Sequence, residues 1–191
     1  DGAYYRAVEK EVQQLIELSG GGAFVLCTSH DWVNKLFRSL SEKMADFNFF
    51  KQGGPRSFGI LDEFRKSQKA VLIGTDTFWQ GVDVPGDALK LVIVTRLPFA
   101  MPDHPLEEAK IEYLREQGFD PFTRHTLPTA VLMLRQGFGR LIRRSDDRGV
   151  VAVLDPRIRT RAYGHVFLKS LPPAAQTNSP ADIKRFFSAN P

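Results

Sequence analysis

The stretch Ala70-Val71-Leu72-Ile73-Gly74-Thr75-Asp76-Thr77-Phe78-Trp79-Gln80-Gly81-Val82-Asp83-Val84-Pro85-Gly86 begins as an unbroken apolar run and ends as a loop. Four apolar residues closed by a glycine predict a short strand at 70–74 that is buried on both faces, since a strand with one wet face would alternate polar and apolar positions. The run from Leu89 to Thr95 has the same character, and so does Val150-Val151-Ala152-Val153-Leu154. Strands of this kind separated by helical segments predict a parallel sheet covered on both sides, a doubly wound α/β domain. Loops following the carboxyl ends of such strands are where open α/β sheets bind ligands.

Working outward toward the start, Ser57 is a candidate cap for a helix through Lys66, Gly53-Gly54-Pro55 marks a turn, and a strand is expected at 47–51. Val33, Leu36, Phe37, Leu40 and Met44 recur at helical steps, predicting a helix over 30–44 with Ser29 as its cap, after a strand at 23–28. Val8, Val12, Leu15 and Ile16 predict a helix over 3–18, stopped by Ser19-Gly20-Gly21-Gly22, which reads as a flexible joint. In the other direction, Pro98, Pro102, Pro105 and Pro121 bracket a helix at 106–117, so 98–127 reads as an excursion from the sheet. Residues 172–180 lack apolar periodicity and predict an extended connector before a short amphipathic end, Ile183 to Phe187. The organisation expected is a helix and joint at 1–22, the α/β domain at 23–171, and a connector with terminal helix at 172–191.

The segment Gln136-Gly137-Phe138-Gly139-Arg140-Leu141-Ile142-Arg143-Arg144 carries the strongest chemical signal. On a helix, Gln136, Arg140, Arg143 and Arg144 share one face, and with Arg135 and Arg148 the segment holds five arginines within fourteen residues. Arginine suits phosphate because its planar fork donates bidentate hydrogen bonds and stays charged. A solvated face is the plainer reading of such arginines. Gly137 and Gly139 argue against it, since each costs a helix about 1 kcal/mol relative to alanine unless something approaches the backbone.

The chain has 191 residues, 42% hydrophobic and 25% charged, which fits one soluble domain, and no apolar run nears the roughly 20 residues of a membrane span. Residues 1–18 alternate charged and apolar side chains without a signal-peptide core, so a cytoplasmic site is expected. The net charge of +4 permits a polyanionic partner, and its concentration at Arg135–Arg148 says more than the sum. Cys27, the sole cysteine, lies in the apolar run 23–27 and reads as a buried thiol. His30, His104, His125 and His165 lack metal-ligand spacing, and no Gly-x-Ser-x-Gly occurs. Asp103, Glu107 and Glu108 read as a helix-start charge set.

Two of these segments together, Phe78-Trp79-Gln80-Gly81-Val82-Asp83 and Gln136-Gly137-Phe138-Gly139-Arg140-Leu141-Ile142-Arg143, resemble motifs V and VI of superfamily 2 helicases, specifically the XPD/DinG-like branch of DNA helicases. The resemblance runs from about Phe24 to Leu171 and implies a RecA-like fold. Neither the phosphate loop Gly-x-x-x-x-Gly-Lys-Ser/Thr nor an Asp-Glu-x-His run occurs in the chain, so it resembles the second of the family's two motor domains. The resemblance implies ATP and Mg²⁺ shared with the first RecA-like domain of the same polypeptide, single-stranded DNA as partner, 5′→3′ translocation, and work in repair or replication. It also implies, for many members, a 4Fe-4S cluster in the first motor domain, outside this chain.

On that resemblance Arg143 is the arginine finger, Gln136 and Arg140 align the phosphate, and Gly81 and Asp83 sit in the loop that faces the nucleotide or ties to the arginine helix. Thr75 offers a hydroxyl to the DNA backbone, and Thr28 and Ser29 match motif IV, at a helix start whose amides suit a phosphate. Capping alone also accounts for Ser29. Gln52, with Lys51, follows the second strand at the same level and is either a further DNA contact or part of a solvated loop. Gln80 departs from the family pattern, where Glu precedes the motif V glycine; a hydrogen bond to motif VI survives that change and a salt bridge does not. Two rival readings stand: a RecA-fold nucleic-acid-binding module without catalysis, and half of an RNA helicase.

Overall fold

The structure, a computed structural model, describes residues 2–53, 59–75, 88–100, 105–141 and 148–189, with the side chain of Arg140 left out. Five strands, β1 (Ala23–Cys27), β2 (Asn48–Lys51), β3 (Ala70–Thr75), β4 (Leu91–Val94) and β5 (Val150–Val153), form one sheet in the order β2-β3-β1-β4-β5. Every neighbouring pair is parallel, with Cys27 level with Thr75 and Leu26 level with Val94. The three continuous apolar runs are therefore β3, β4 and β5, as a doubly wound sheet requires.

Alternate residues of each strand enter opposite cores. Phe24, Leu26, Leu72, Val92 and Val94 meet Ile60 and Phe64 of α3 (Ile60–Lys66) and Leu127, Ala130, Leu134 and Leu141 of a later helix. On the other face Val25, Cys27, Val71, Ile73 and Ile93 meet Val8, Val12 and Ile16 of α1 (Gly2–Ser19) and Val33, Leu36 and Leu40 of α2 (His30–Lys43). Both helices show the 3–4 residue spacing that buries one stripe. Glu9 links them: its carboxylate accepts from Ser39 and, at 2.5 Å, from Lys43. Burial pushes that carboxyl up, yet the two donors hold it below its ordinary value.

The glycines after α1 form a packed turn. Gly20, Gly21 and Gly22 all take positive φ, and a Cβ on Gly21 would lie 2.4 Å from the Lys69 Cα. Only glycine allows the backbone to enter β1 that close to the start of β3.

Past β4 the chain leaves the sheet. Helix α4 (Pro105–Glu116) buries no residue and is tied by Glu107, 2.7 Å from His125 in the π-helical turn Phe122–Thr126. That turn continues into α5 (Leu127–Leu141), whose first turns join the Leu97 and Phe99 cluster just beyond β4. Its last residue, Leu141, lies against Gly149 just before β5, so α5 runs from the carboxyl edge of the sheet to the amino edge. The expected arginine helix is thus the end of a longer one, and its expected continuation through Ile142, Arg143 and Arg144 lies outside the described residues. After β5 come α6 (Arg157–Thr160), α7 (Gly164–Ser170) and, beyond an irregular stretch, α8 (Pro180–Ala189), whose Phe187 is buried in the α1 core. Among the described residues no helix is long and apolar enough to cross a membrane.

Candidate nucleic-acid and nucleotide interface

Because all five strands are parallel, their carboxyl ends form a single edge, and four of the candidate residues come together there. Gln52 follows β2 and donates its own N–H to Ile73 O at 3.0 Å. Its side-chain oxygen accepts from the Thr75 backbone N–H at 2.8 Å and from Thr75 Oγ1 at 2.9 Å. A backbone N–H can only donate, so this end of the amide is the oxygen, and the NH2 end is the donor directed elsewhere. Thr28 and Ser29 continue from β1, the strand beside β3. Ser29 Oγ accepts from Trp32 N at 3.3 Å, the cap that starts α2. Lys51 is oriented by Asn34 Oδ1 at 2.7 Å and lies over the Phe37 ring.

Of the nucleotide candidates, Gln136 and the Arg140 backbone fall among the described residues, and neither lies at that edge. Gln136 is exposed near the end of α5, towards the amino edge of the sheet, beside exposed Arg135. Arg140 occupies a helical backbone position, while Gly81, Asp83 and Arg143, with Gln80 and Arg144, lie outside the described residues. Gly137 is buried and Gly139 is exposed; a Cβ at Gly139 would meet nothing within 4 Å. No described part of this chain therefore accounts for glycine at that position.

The carboxyl edge also holds groups that no sequence pattern singled out. Thr95 N–H and Oγ1 both donate to Leu26 O, at 3.0 and 2.8 Å, and Tyr4 Oη donates to Thr95 O at 2.8 Å. Arg96 lies over the rings of Tyr4 and Trp32, 4.8 and 5.1 Å from their centroids. Burial, with Asp155 nearby, raises the Tyr4 phenol, while Arg96 and Arg157 act in the opposite sense. After β5, buried Asp155 accepts from Leu97 N at 2.9 Å, from Arg157 N at 3.0 Å and from Arg157 Nη2 at 2.6 Å. Burial pushes its carboxyl up, but the Arg157 guanidinium and the two amides hold it below the usual value. For Arg96 and Asp155 the one legible signal was their place, immediately after predicted strands. On the neighbouring core face, burial pushes the Cys27 thiol up to about 12.

The chain matches the family model described as the helicase C-terminal domain over residues 12–174. It is similar to the ATP-dependent DNA helicase YoaA of Escherichia coli (strain K12), with 43% identity over 183 residues, covering 96% of this chain and 29% of that protein. It is similar as well to the 3'-5' exonuclease DinG of Bacillus subtilis (strain 168), 43% identical over 88% of this chain and 18% of that protein, and to the ATP-dependent helicase DinG of Mycobacterium tuberculosis (strain ATCC 25618 / H37Rv), 37% identical over 91% and 26%. The chain thus spans less than a third of these curated relatives. Among solved structures its fold resembles an XPD helicase, with TM-score 0.69 and 14% identity over 87% of this chain and 30% of that one. S. cerevisiae Dbp5 bound to RNA and ADP BeF3 shares the fold with TM-score 0.60 and 16% identity, over 97% of this chain and 42% of that one.

Proposed function

Since the chain belongs to the helicase C-terminal domain family, we propose that it is the second motor domain of a DinG-like, ATP-dependent DNA helicase, and that the carboxyl edge of its sheet carries a single DNA strand. The observation that carries the strand path is the meeting of Gln52 and Thr75, with Thr28 and Ser29 on the adjoining strand. These are short polar groups on rigid strand ends. They suit a backbone that must be held and then released, because contacts to phosphate and sugar position a strand without reading its sequence.

ATP lies between this domain and the first RecA-like domain of the same polypeptide, which holds the phosphate loop and Mg²⁺. The metal would be held by the first domain's acidic residues, outside this chain, and would offset phosphate charge there. From this side Arg143 acts as the arginine finger, and Gln136 and Arg140 align the γ-phosphate. Gly81 and Asp83 carry the motif V loop that links the cleft to Thr75. Losing the γ-phosphate removes what the arginines grip, so hydrolysis becomes relative motion of the two domains. The open space over Gly139 supports this reading, because an approaching group must come from outside the described chain. We place the work of the parent in the cytoplasm, in DNA repair or replication with 5′→3′ polarity. A four-cysteine cluster does not fit this chain, whose sole cysteine is the buried Cys27; a 4Fe-4S cluster belongs to the first domain if the parent has one.

The test is single-strand-stimulated ATP hydrolysis by the full-length parent, wild type against Arg143→Ala, with melting curves on both. The expected outcome is a fall of about a thousandfold with folding and DNA binding retained. Near-normal turnover would remove the arginine from the transition state. A parent without any ATPase would leave a non-catalytic binding module, and stimulation by RNA in place of DNA would make it half of an RNA helicase.

A further inference from the structure

Arg96 stands one strand beyond the contacts already described. Across the sheet the carboxyl ends present Gln52 after β2, Thr75 on β3, Thr28 and Ser29 after β1, and then Arg96 after β4. Its guanidinium lies over two rings, 4.8 Å from the Tyr4 centroid and 5.1 Å from that of Trp32, and those rings are themselves fixed. Tyr4 is tied through its hydroxyl to Thr95 O at 2.8 Å, while Trp32 sits in the first turn of α2 and meets Tyr5 edge-on at 5.3 Å. The guanidinium shares a hydrogen bond with the Tyr4 hydroxyl, and with five N–H groups it keeps others to donate. Among the described residues no carboxylate pairs with Arg96, which is half-exposed, whereas Arg157 one strand further on is committed to Asp155 at 2.6 Å.

We propose that Arg96, held by Tyr4 and Trp32, is a phosphate contact that extends the single-strand path from β2, β3 and β1 onto β4. The proposal rests on the strand path assigned to this edge in the proposed function. Three inter-strand steps of ~4.8 Å separate β2 from β4, about 14 Å in all, a span that several phosphates of one strand can cover. Tyr4 and Trp32 are positioning residues, since they act through the arginine. The ordering they impose is done before the strand arrives, which is what makes one exposed cation effective.

The experiment is fluorescence anisotropy of a labelled oligothymidylate on the full-length protein at several salt concentrations, for wild type, Arg96→Gln, Arg96→Lys, Trp32→Leu and, as a benchmark for the edge itself, Gln52→Ala. For Arg96→Gln the expected result is affinity lowered about tenfold and a salt slope shallower by about 0.7, the value for one phosphate contact on a single strand. Arg96→Lys and Trp32→Leu retain the wild-type slope and bind more weakly, because the charge stays and its placement is lost. A merely structural arginine, one that fastens α1 to the sheet, would lower the melting temperature without moving the slope, and that result overturns the proposal. Should Arg96→Gln not fold, wild-type affinity in folded Arg96→Lys and Trp32→Leu overturns it equally. Weakening by Gln52→Ala with unchanged binding by Arg96→Gln defeats the arginine and spares the strand path; no weakening by either defeats both.

Discussion

Asp155 shows how one side chain sets the geometry of an edge. Its carboxylate takes the amides of Leu97 and Arg157 together with the Arg157 guanidinium, so removing it orphans several donors at once. Asp155→Ala is expected to lower stability by about 3 kcal/mol in urea unfolding, since unmet buried donors cost about 1–3 kcal/mol each and partial solvation of Arg157 softens the loss. A loss under about 1 kcal/mol would mean that water replaces the carboxylate. The folded carboxyl is held below its unfolded value, so the native state binds fewer protons in that range. Its stabilising share is complete above the unfolded value of about 3.9 and disappears as pH falls through the folded one. Cys27 makes a second case: its thiol is buried and pushed up to about 12. It should resist a thiol-specific reagent at pH 8 until the protein unfolds, and fast labelling of the native chain would contradict the packing of β1. Neither Arg96 nor Asp155 was legible as a site, because a lone charge after a strand has no pattern; Tyr4 and Arg96 lie 92 residues apart and only the order of the strands joins them.

At the scale of elements, the strands were the most legible part because burial on both faces leaves an unbroken apolar run, as in β3 and β4. Helix ends were less so. Gln136 and Arg140 fall on α5 while Arg143 and Arg144 lie outside the described residues, and the start of the helix depends on the π-helical turn at Phe122–Thr126, which has no periodic signature of its own. The turn after α1 is a sharper lesson, since glycines that read as a flexible joint are required by a close approach. A Cβ at Gly20 would meet nothing within 4 Å, whereas at Gly21 it would strike the Lys69 backbone. Gly20→Ala should therefore cost only the ~1–2 kcal/mol of a left-handed alanine, and Gly21→Ala clearly more, with both read from urea midpoints. Equal losses would show that the turn can slide away from β3. Gly139 on α5 gives the opposite expectation. With open space around it, Gly139→Ala should raise the stability of the isolated chain by up to about 1 kcal/mol through helix propensity. In the full-length parent the same change should reduce ATP turnover if another domain or the nucleotide approaches that backbone, so a rise in both stability and turnover would leave the glycine without a reason.

For the molecule as a whole, family and fold were legible because two motifs occur in order on a sheet whose strands announce themselves, while the distance of Gln136 from the edge that holds Thr75 was not. Topology puts Thr75 at the carboxyl edge and the end of α5 at the other, while Gly81 and Asp83 lie outside the described residues. Under the proposed function, strand contacts at the carboxyl edge and Gln136 and Arg140 towards the other would share one sheet, the arrangement a motor half needs to pass a change at one ligand to the other. It also limits what this half does alone. The isolated 191-residue chain is expected to show no ATP hydrolysis above a no-enzyme control, with or without single-stranded DNA, since its sequence has no phosphate loop and, on the proposed reading, Arg143 acts only where another domain presents the nucleotide. Strand binding should persist weakly and fall only modestly between 50 and 200 mM salt, because among the assigned contacts Arg96 alone carries a charge. Mixing the chain with a separately folded first motor domain should then restore a measurable fraction of turnover in proportion to the concentration of either partner. Robust hydrolysis by the chain alone would defeat the half-enzyme reading, and salt-independent binding would move the strand off this edge.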